Sequence, residues 1–503
     1  MITSYSMLVR GVLPLLMCAG IEAQAWIYDS QYFLKDVVPG VPGEYVFLDH
    51  DRDGLLDIMC GWGSGYVWFR GFAHGGFGPA NFVTVPNLPC YAGPLAVGDM
   101  TNDGIDDLVL SGIRNPSSTS NSTTAILVAN GQGGFSLDTQ GRLPPSPSGY
   151  SFLAVLDCDN DGRKDLLLGV AVSQVRLLVN HGSTMVDETA LRLPGFSGDI
   201  TGMVARDFNE DGYPDILITV GLIGASSGVN QLWLNDGTGR FTPSSALGNI
   251  AGYTNTPGVG DINGDGHLDI LLTHLVGPPN LYEGDGLGGF QDVTYRLPAS
   301  ALKTWYGGAI GDVTGDGLGD IIFIPNPVQS LGVFVASGSG AFVDYSIPTI
   351  PGVYGSAIVL RDFDGDGDVD ILASFYKDYP PGTASGAVIL RHALRQLLVT
   401  QEPTVGGSLG MTLFAWRGNY VVPYLGGSKL PVSVPPYGTW HLDPQTSVGL
   451  PAVYMTSHVQ TWSLPVPALQ SLRGKPLYVQ AIDFNPTAPY SSHGMNLLEL
   501  IVR

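Results

Sequence analysis

One nine-residue pattern, Asp-x-(Asp/Asn/Thr)-x-Asp-Gly-x-x-Asp, occurs seven times in this 503-residue chain. The copies read DHDRDGLLD from Asp49, DMTNDGIDD from Asp99, DCDNDGRKD from Asp157, DFNEDGYPD from Asp207, DINGDGHLD from Asp261, DVTGDGLGD from Asp312 and DFDGDGDVD from Asp362. Successive copies start 50, 58, 50, 54, 51 and 50 residues apart. A period near fifty residues restricts the chain to a repeat architecture, in which like units cover one another's faces.

The residues around each copy define the unit. Ala309 and Ile310 precede the sixth copy, and Ile321, Ile322 and Phe323 follow it; Val359 and Leu360 precede the seventh, and Ile371 and Leu372 follow it. Short β-branched runs on both sides of a turn-rich loop predict a hairpin. A third strand follows, as at Gln231–Leu234 and Asn280–Tyr282, and then a Gly-rich turn leads to a Phe, as at Gly237–Phe241, Gly286–Phe290 and Gly338–Phe342. Four strands per period is the unit of a propeller blade, so the expected fold is an all-β, seven-bladed β-propeller over residues 26–398. The 69 Gly and 36 Pro suit many tight turns. The seventh repeat lacks the Gly-rich turn and its Phe, whereas Tyr32–Val37 resembles Phe290–Val293. Repeat phase therefore favours Tyr32–Val37 as the strand that completes the last blade, with Gln396–Val399 as the alternative.

Calcium takes six to eight oxygen ligands, and alternate residues of a tight loop can converge on one ion. Positions 1, 3, 5 and 9 supply the candidate ligand side chains: Asp49, Asp51, Asp53 and Asp57; Asp99, Thr101, Asp103 and Asp107; Asp157, Asp159, Asp161 and Asp165; Asp207, Asn209, Asp211 and Asp215; Asp261, Asn263, Asp265 and Asp269; Asp312, Thr314, Asp316 and Asp320; Asp362, Asp364, Asp366 and Asp370. Position 7 can add its carbonyl, and Gly at position 6 allows a bend. A helix–loop–helix site would need Glu at position 12. That position holds Cys60, Leu110, Leu168, Ile218, Leu272, Phe323 and Ala373, so this alternative is excluded. Turn chemistry explains one Asp and one Gly per copy, but not acids at positions 1, 5 and 9 in all seven. Up to seven Ca2+ ions are expected, and they would bring the formal charge from −22 to −8. The same negative charge excludes nucleic acid as a partner.

These repeats resemble the FG-GAP/VCBS class of secreted bacterial proteins and of integrin α-subunit propellers. The resemblance implies a seven-bladed propeller with calcium loops on one rim. The Phe-Gly and Gly-Ala-Pro signatures survive only as partial echoes at Phe77-Gly78 and Ala92-Gly93-Pro94, so integrin-like ligand recognition does not carry over.

A Tyr precedes six of the seven copies: Tyr45, Tyr91, Tyr150, Tyr253, Tyr306 and Tyr354. The connection between blades passes near the central channel there. Two readings stand: wedges between blades, or, for Tyr91, Tyr150, Tyr253, Trp305, Tyr306 and Tyr354, a platform that stacks on sugars or peptide side chains. Gly-x-Ser-x-Gly around Ser226 and Ser408 lacks the strand–turn–helix setting of a nucleophile elbow. The nine His show no metal-ligand spacing. No catalytic residue is assigned. The expected function is a non-enzymatic extracellular binding or adhesion protein for a glycan or protein ligand. The alternative is the propeller portion of a polysaccharide-active lyase or hydrolase, or its carbohydrate-binding module. Convergence of Arg114, Arg142, His181, Arg192 and Lys303 in one cleft would favour that alternative.

Arg10, the apolar run Gly11–Ile21 and Ala23-Gln24-Ala25 have the order of a secretory signal, residues 1–25, so the chain is expected to be secreted or displayed at the cell surface. Beyond it Cys60, Cys90 and Cys158 remain; Cys60 and Cys90 either bridge or stay as buried thiols. The motif ends at Asp370, and residues 399–503 read as a small β-sandwich-like module. Its stretch Trp462–Asp483 resembles a C-terminal module appended to many secreted bacterial repeat proteins.

Overall fold

The computed structural model describes residues 26–28, 45–62, 64–71, 77–89, 95–112, 123–145, 150, 152–170, 174–196, 198–221, 229–248, 253–314, 317–325, 331–337, 340–345, 355–363, 369–375, 386–392, 397–401, 405–414, 420–426, 428–433, 439–442, 448–449, 453–454, 459–465, 473, 475–484, 493–494 and 498–501. The expected signal segment and Cys90 lie outside them. Among the described residues the regular structure is all strand apart from a helical turn at Thr189–Arg192 and a 3-10 turn at Thr294–Arg296.

Each motif copy belongs to a four-stranded antiparallel sheet. The first sheet comprises Val46–Leu48, Asp57–Trp62, Gly65–Gly71 and Phe77–Thr84. The second comprises Leu95–Gly98, Asp107–Ser111, Thr124–Ala129 and Phe135–Leu137. The third comprises Phe152–Leu156, Asp165–Val170, Gln174–Asn180 and Met185–Asp187. The fourth comprises Asp199–Arg206, Asp215–Gly221, Gln231–Asn235 and Phe241–Ser244. The fifth comprises Gly258–Gly260, Asp269–Leu272, Asn280–Gly284 and Phe290–Asp292. The sixth comprises Trp305–Gly311, Asp320–Pro325, Gly332–Ala336 and Phe342–Tyr345. The seventh comprises Gly355–Arg361, Asp370–Phe375, Gly386–His392 and, as its fourth strand, Trp26–Tyr28.

In every sheet the motif is the hairpin loop between strands one and two. The residue before the motif pairs with its ninth residue, as in Leu48 with Asp57, Leu156 with Asp165 and Gly311 with Asp320. The second strands are continuous apolar runs because both their faces are covered. Successive side chains point to opposite faces. Thus Leu166 and Leu168 pack on Ala96, Val109 and Ile126 of the second sheet. Leu167, between them, packs on Ile216, Ile218 and Trp233 of the fourth. In the fifth sheet Ile270 and Leu272 face the fourth, and Leu271 faces the sixth. In the sixth sheet Ile321 and Phe323 face the fifth, and Ile322 faces the seventh. Burying one such side chain contributes about 1.5–3 kcal/mol.

This chain of apolar contacts returns to its start. Phe363 of the seventh motif copy and Leu372 of the seventh sheet share a core with Leu48, Ile58 and Phe69 of the first, and Leu95 and Leu108 of the second belong to the same core. The Phe363 ring lies 5.4 Å from Phe47 and 6.0 Å from Phe77. First strands approach closely where glycine permits it. A Cβ on Gly258 would stand 2.9 Å from the Gly308 carbonyl oxygen, and one on Gly260 would stand 2.7 Å from an Ile310 methyl.

The strand completing the seventh sheet is N-terminal, but it is Trp26–Tyr28, with Tyr28 opposite Leu390. Tyr32–Val37 lies outside the described residues. Repeat phase misplaces the closing strand because no turn joins it to its neighbour, and hairpin turns are what fix register. The alternative is ruled out: Leu397–Gln401 pairs with Ser408–Phe414.

Buried asparagines tie neighbouring sheets together. Asn180 Nδ2 donates to the Met100 carbonyl, and Asn235 Nδ2 donates to the Cys158 carbonyl, each at motif position 2 of the preceding repeat. Their Oδ1 atoms accept from Gly182 and Gly237 in the following turns. Asn235→Ala strips partners from the buried Cys158 carbonyl and the half-buried Pro214 carbonyl. A loss of about 2–3 kcal/mol is expected, measured by urea denaturation, and Asn235→Asp should not restore it, because a carboxylate cannot donate.

The C-terminal region forms separate sheets. Leu397–Gln401, Ser408–Phe414 and Val459–Pro465 make one. Tyr420–Gly426 and Pro476–Phe484 centre another, flanked by four short strands. Leu442 of this region is buried against Leu55 of the first motif loop, with Tyr424 and Tyr478 beside it.

Candidate metal-binding loops

The motif loop is built by its own carboxylates. Position 1 accepts from the amides of positions 5 and 6: Asp49 from Asp53 and Gly54 at 2.9 Å each, and Asp157 from Asp161 at 3.1 Å and Gly162 at 3.0 Å. Position 5 accepts from the amide of position 7, as Asp53 does from Leu55 at 3.0 Å. The same bonds recur at Asp99 with Asp103 and at Asp207 with Asp211. Such turns favour left-handed residues. Position 6 is at φ +84° in Gly162 and has nothing within 4 Å of where a Cβ would stand. Backbone conformation, not obstruction, therefore requires glycine there. Position 4 is left-handed too: Arg52, Asn102, Asn160 and Glu210 have φ of 59°, 63°, 56° and 56°.

The ninth residue does a second job. Asp57, Asp107, Asp165, Asp215, Asp269, Asp320 and Asp370 are fully buried. One oxygen accepts from the amide of position 2, as Asp269 does from Ile262 at 2.7 Å. The other accepts from the end of the third strand: Asp57 from Gly71 at 2.7 Å, Asp215 from Asn235 at 2.8 Å, Asp269 from Gly284 at 2.8 Å. Burial pushes Asp57, Asp215 and Asp269 up to about 6, against the downward pull of these amides and with help from the other loop carboxylates. Asp107 and Asp165 are raised for the same first cause.

Above this buried residue, positions 1, 3 and 5 converge. Asp49, Asp51 and Asp53 each bring a carboxylate oxygen within 4.8 Å of the others, as do Asp157, Asp159 and Asp161. Two oxygens on one calcium, each about 2.3–2.6 Å from it, stand no farther apart than about 5 Å. Position 3 then leaves an oxygen unused. Asp51 Oδ1, Thr101 Oγ1 and Asp159 Oδ1 are buried and have no hydrogen-bond partner. A stranded polar atom costs about 1–3 kcal/mol unless something binds it. Asp51 and Asp159 belong to the two clusters in which positions 1, 3 and 5 converge, and Thr101 holds the same motif position, so the three atoms fit a hard cation. Guanidinium groups collect beside the same loops. Arg70 bridges Asp51 at 2.6 Å and Asp53 at 2.9 Å, Arg192 holds Asp159 at 3.0 Å, and Arg163 pairs with Asp161. In the fourth and fifth loops Asn209 and Asn263 donate to Asp211 and Asp265. Asp316, Asp364 and Asp366 lie outside the described residues.

The aromatic residues divide. Trp305 is buried, stacked 4.8 Å from Phe323, with its indole N–H on the Ala301 carbonyl. Tyr150 is buried, and its hydroxyl accepts from Arg176 at 2.7 Å. Both belong to the packing between sheets and offer no open face. Tyr253 lies against Gly221, Tyr306 is exposed, and Tyr91 and Tyr354 lie outside the described residues. Cys60 and Cys158 are buried free thiols. His181 and Arg192 share Glu188, at 2.9 and 2.5 Å; Arg142 donates to the Gly182 carbonyl; Lys303 sits over Trp305. Arg114 and Ser226 lie outside the described residues. Ser408 begins a strand rather than a nucleophile elbow.

A family model for the FG-GAP-like repeat matches residues 99–168, 157–218, 221–272 and 312–373, which contain the second to seventh motif copies. No curated protein matches the chain. Among solved structures, an Agrocybe aegerita lectin described as recognising non-reducing terminal N-acetylglucosamine is 21% identical, with a TM-score of 0.48, over 66% of this chain and 89% of its own. The V. cholerae biofilm matrix protein Bap1 is 15% identical with a TM-score of 0.34, over 80% of this chain and 65% of its own. The Nup170 N-terminal domain from a Chaetomium thermophilum complex with Nup53 is 11% identical with a TM-score of 0.40, over 69% of this chain and 58% of its own. Among the described residues no helix is long and apolar enough to cross a membrane.

Proposed function

This chain is an FG-GAP-like repeat protein, and we propose that it is a calcium-loaded, seven-bladed β-propeller that binds an extracellular ligand without chemically changing it. The observation that carries the metal is the set of stranded position-3 oxygens, Asp51 Oδ1, Thr101 Oγ1 and Asp159 Oδ1. Positions 1, 3 and 5 would hold the ion from above, and the ninth aspartate would add charge from beneath. Bound calcium would neutralise carboxylates that otherwise repel, and so fix the hairpins on one rim. The closed circuit of apolar contacts supports seven blades, and the separate C-terminal sheets support a sandwich-like module over residues 399–503.

Binding rather than catalysis is supported by how the basic side chains are used. His181 and Arg192 are spent on Glu188, and Lys303 on Trp305. Secretion through residues 1–25 is supported by the order of Arg10, the apolar run Gly11–Ile21 and Ala23-Gln24-Ala25. The test is retention on an array of glycans and matrix proteins, with calcium and with chelator, followed by analysis of the retained material. Calcium-dependent retention of intact ligand is expected. Calcium-dependent cleavage of a polysaccharide would replace the binder with an enzyme.

A further inference from the structure

A cleft of about 390 Å³ opens between the first motif loop, the Gly-rich turn of the second sheet and the end of a seventh-sheet strand. Two arginines line it, Arg52 from motif position 4 and Arg361 from just before the seventh copy. The chain has only 23 Lys and Arg against 45 acids, so an unpaired cation is unexpected. Yet neither guanidinium has a hydrogen bond or ion pair among the described residues; Arg361 lies over the Phe47 ring at 5.7 Å.

Arg52 carries a second signal. It keeps φ at +59°, a conformation that an Arg adopts at a cost and an Asn adopts easily. Asn holds this position in the second and third copies, and Gly in the fifth, sixth and seventh. Glu210, the other exception, uses its side chain to hold His267 across the gap to the next loop, at 2.6 Å. Arg52 has no such partner. Its guanidinium nitrogens lie 3.5 Å from where a Cβ on Gly131 would stand, at the cleft. The loop sets this conformation in the first four copies, and what is particular to the first is that an Arg meets its cost without a partner for its side chain among the described residues, which points to a ligand.

The other walls say what kind. Phe47, His50 and Phe135 line the cleft, with His50 stacked on Phe135 at 5.1 Å and Arg361 over Phe47. Asp49 and Asp106 also line it, but Asp49 spends its oxygens on the amides of Asp53 and Gly54. Two guanidinium groups lining one cleft match a carboxylate, and an aromatic lining matches the C–H face of a sugar ring. We propose that this cleft binds a uronate unit of an acidic glycan, with Arg52 and Arg361 holding its carboxylate. The assignment rests on the protein being a binder that leaves its ligand intact.

The test is calorimetric titration of the full chain with trigalacturonate, with galactotriose and triglutamate as comparisons. Trigalacturonate should bind, and the other two at least about tenfold more weakly, because only it supplies both the charge and the ring. Arg52→Asn and Arg361→Gln should each weaken trigalacturonate about tenfold or more. Arg52→Asn should keep the calcium content of the wild type, since Asn occupies that position in two other loops. Absence of trigalacturonate binding, equal binding of galactotriose, or unchanged affinity in both variants would overturn the proposal. Equal or tighter binding of triglutamate would overturn the sugar in favour of an acidic peptide. Cleavage of trigalacturonate would instead defeat the reading as a non-enzymatic binder.

Discussion

Removing calcium at pH 7.5 is expected to lower the melting temperature by about 10–20 °C. If ambient calcium stands about tenfold above each Kd, each loop is stabilised by about 1.4 kcal/mol, and seven loops give of the order of 10 kcal/mol. For a propeller of this length that corresponds to the stated shift. The size should depend on pH, with a sign fixed by the buried ninth aspartates. Asp57, Asp215 and Asp269 are raised from 3.8 to about 6 in the absence of metal. Between those values the folded chain binds more protons than the unfolded one, so the metal-free protein gains stability as pH falls through about 6. Protons then compete with calcium for the same loops. The calcium-induced shift should therefore be large at pH 7.5 and small near pH 5, in thermal melts followed by near-ultraviolet circular dichroism. An equal shift at both values would separate the ninth aspartate from the metal.

Asp215→Ala is expected to cost about 3–5 kcal/mol even in chelator, more than any one lost ion. Its carboxylate accepts from Phe208 at 2.9 Å and Asn235 at 2.8 Å, and the substitution leaves two buried amides without acceptors, each worth about 1–3 kcal/mol. Asn at this position repairs only one of them, because its NH2 then faces a second donor. Urea denaturation of Asp215→Ala and Asp215→Asn, with and without calcium, measures the difference. The exposed turn residue Asp236, which accepts from Thr238 at 2.9 Å, is the control and should lose less than about 1 kcal/mol on truncation. A loss for Asp215→Ala that vanished in chelator would make the residue a metal ligand and nothing more.

Much of this was legible in the sequence because it repeats. The hairpin at each motif, the four strands and the Gly-rich turns follow from periodicity and turn chemistry. The buried apolar second strands follow from their continuous runs. The double use of the ninth aspartate was not legible, since a carboxylate in an acidic motif reads as a ligand whether it faces an ion or two backbone amides. The left-handed position 4 left a trace in the Asn and Gly that five copies place there. Asn180 and Asn235, which cross between sheets, were signalled only by standing just before a Gly-rich turn in two repeats. Trp305 and Tyr150 looked available for stacking because a blade connection reads as surface. Packing between neighbouring sheets, invisible along one strand, encloses them.

The most direct test is a crystal structure grown in calcium, with anomalous scattering used to locate the ions. Calcium should stand about 2.3–2.6 Å from Asp51 Oδ1, Thr101 Oγ1 and Asp159 Oδ1, with the carboxylates of positions 1 and 5 around it. Water or an arginine nitrogen on those oxygens in saturating calcium, with no anomalous peak, would contradict it.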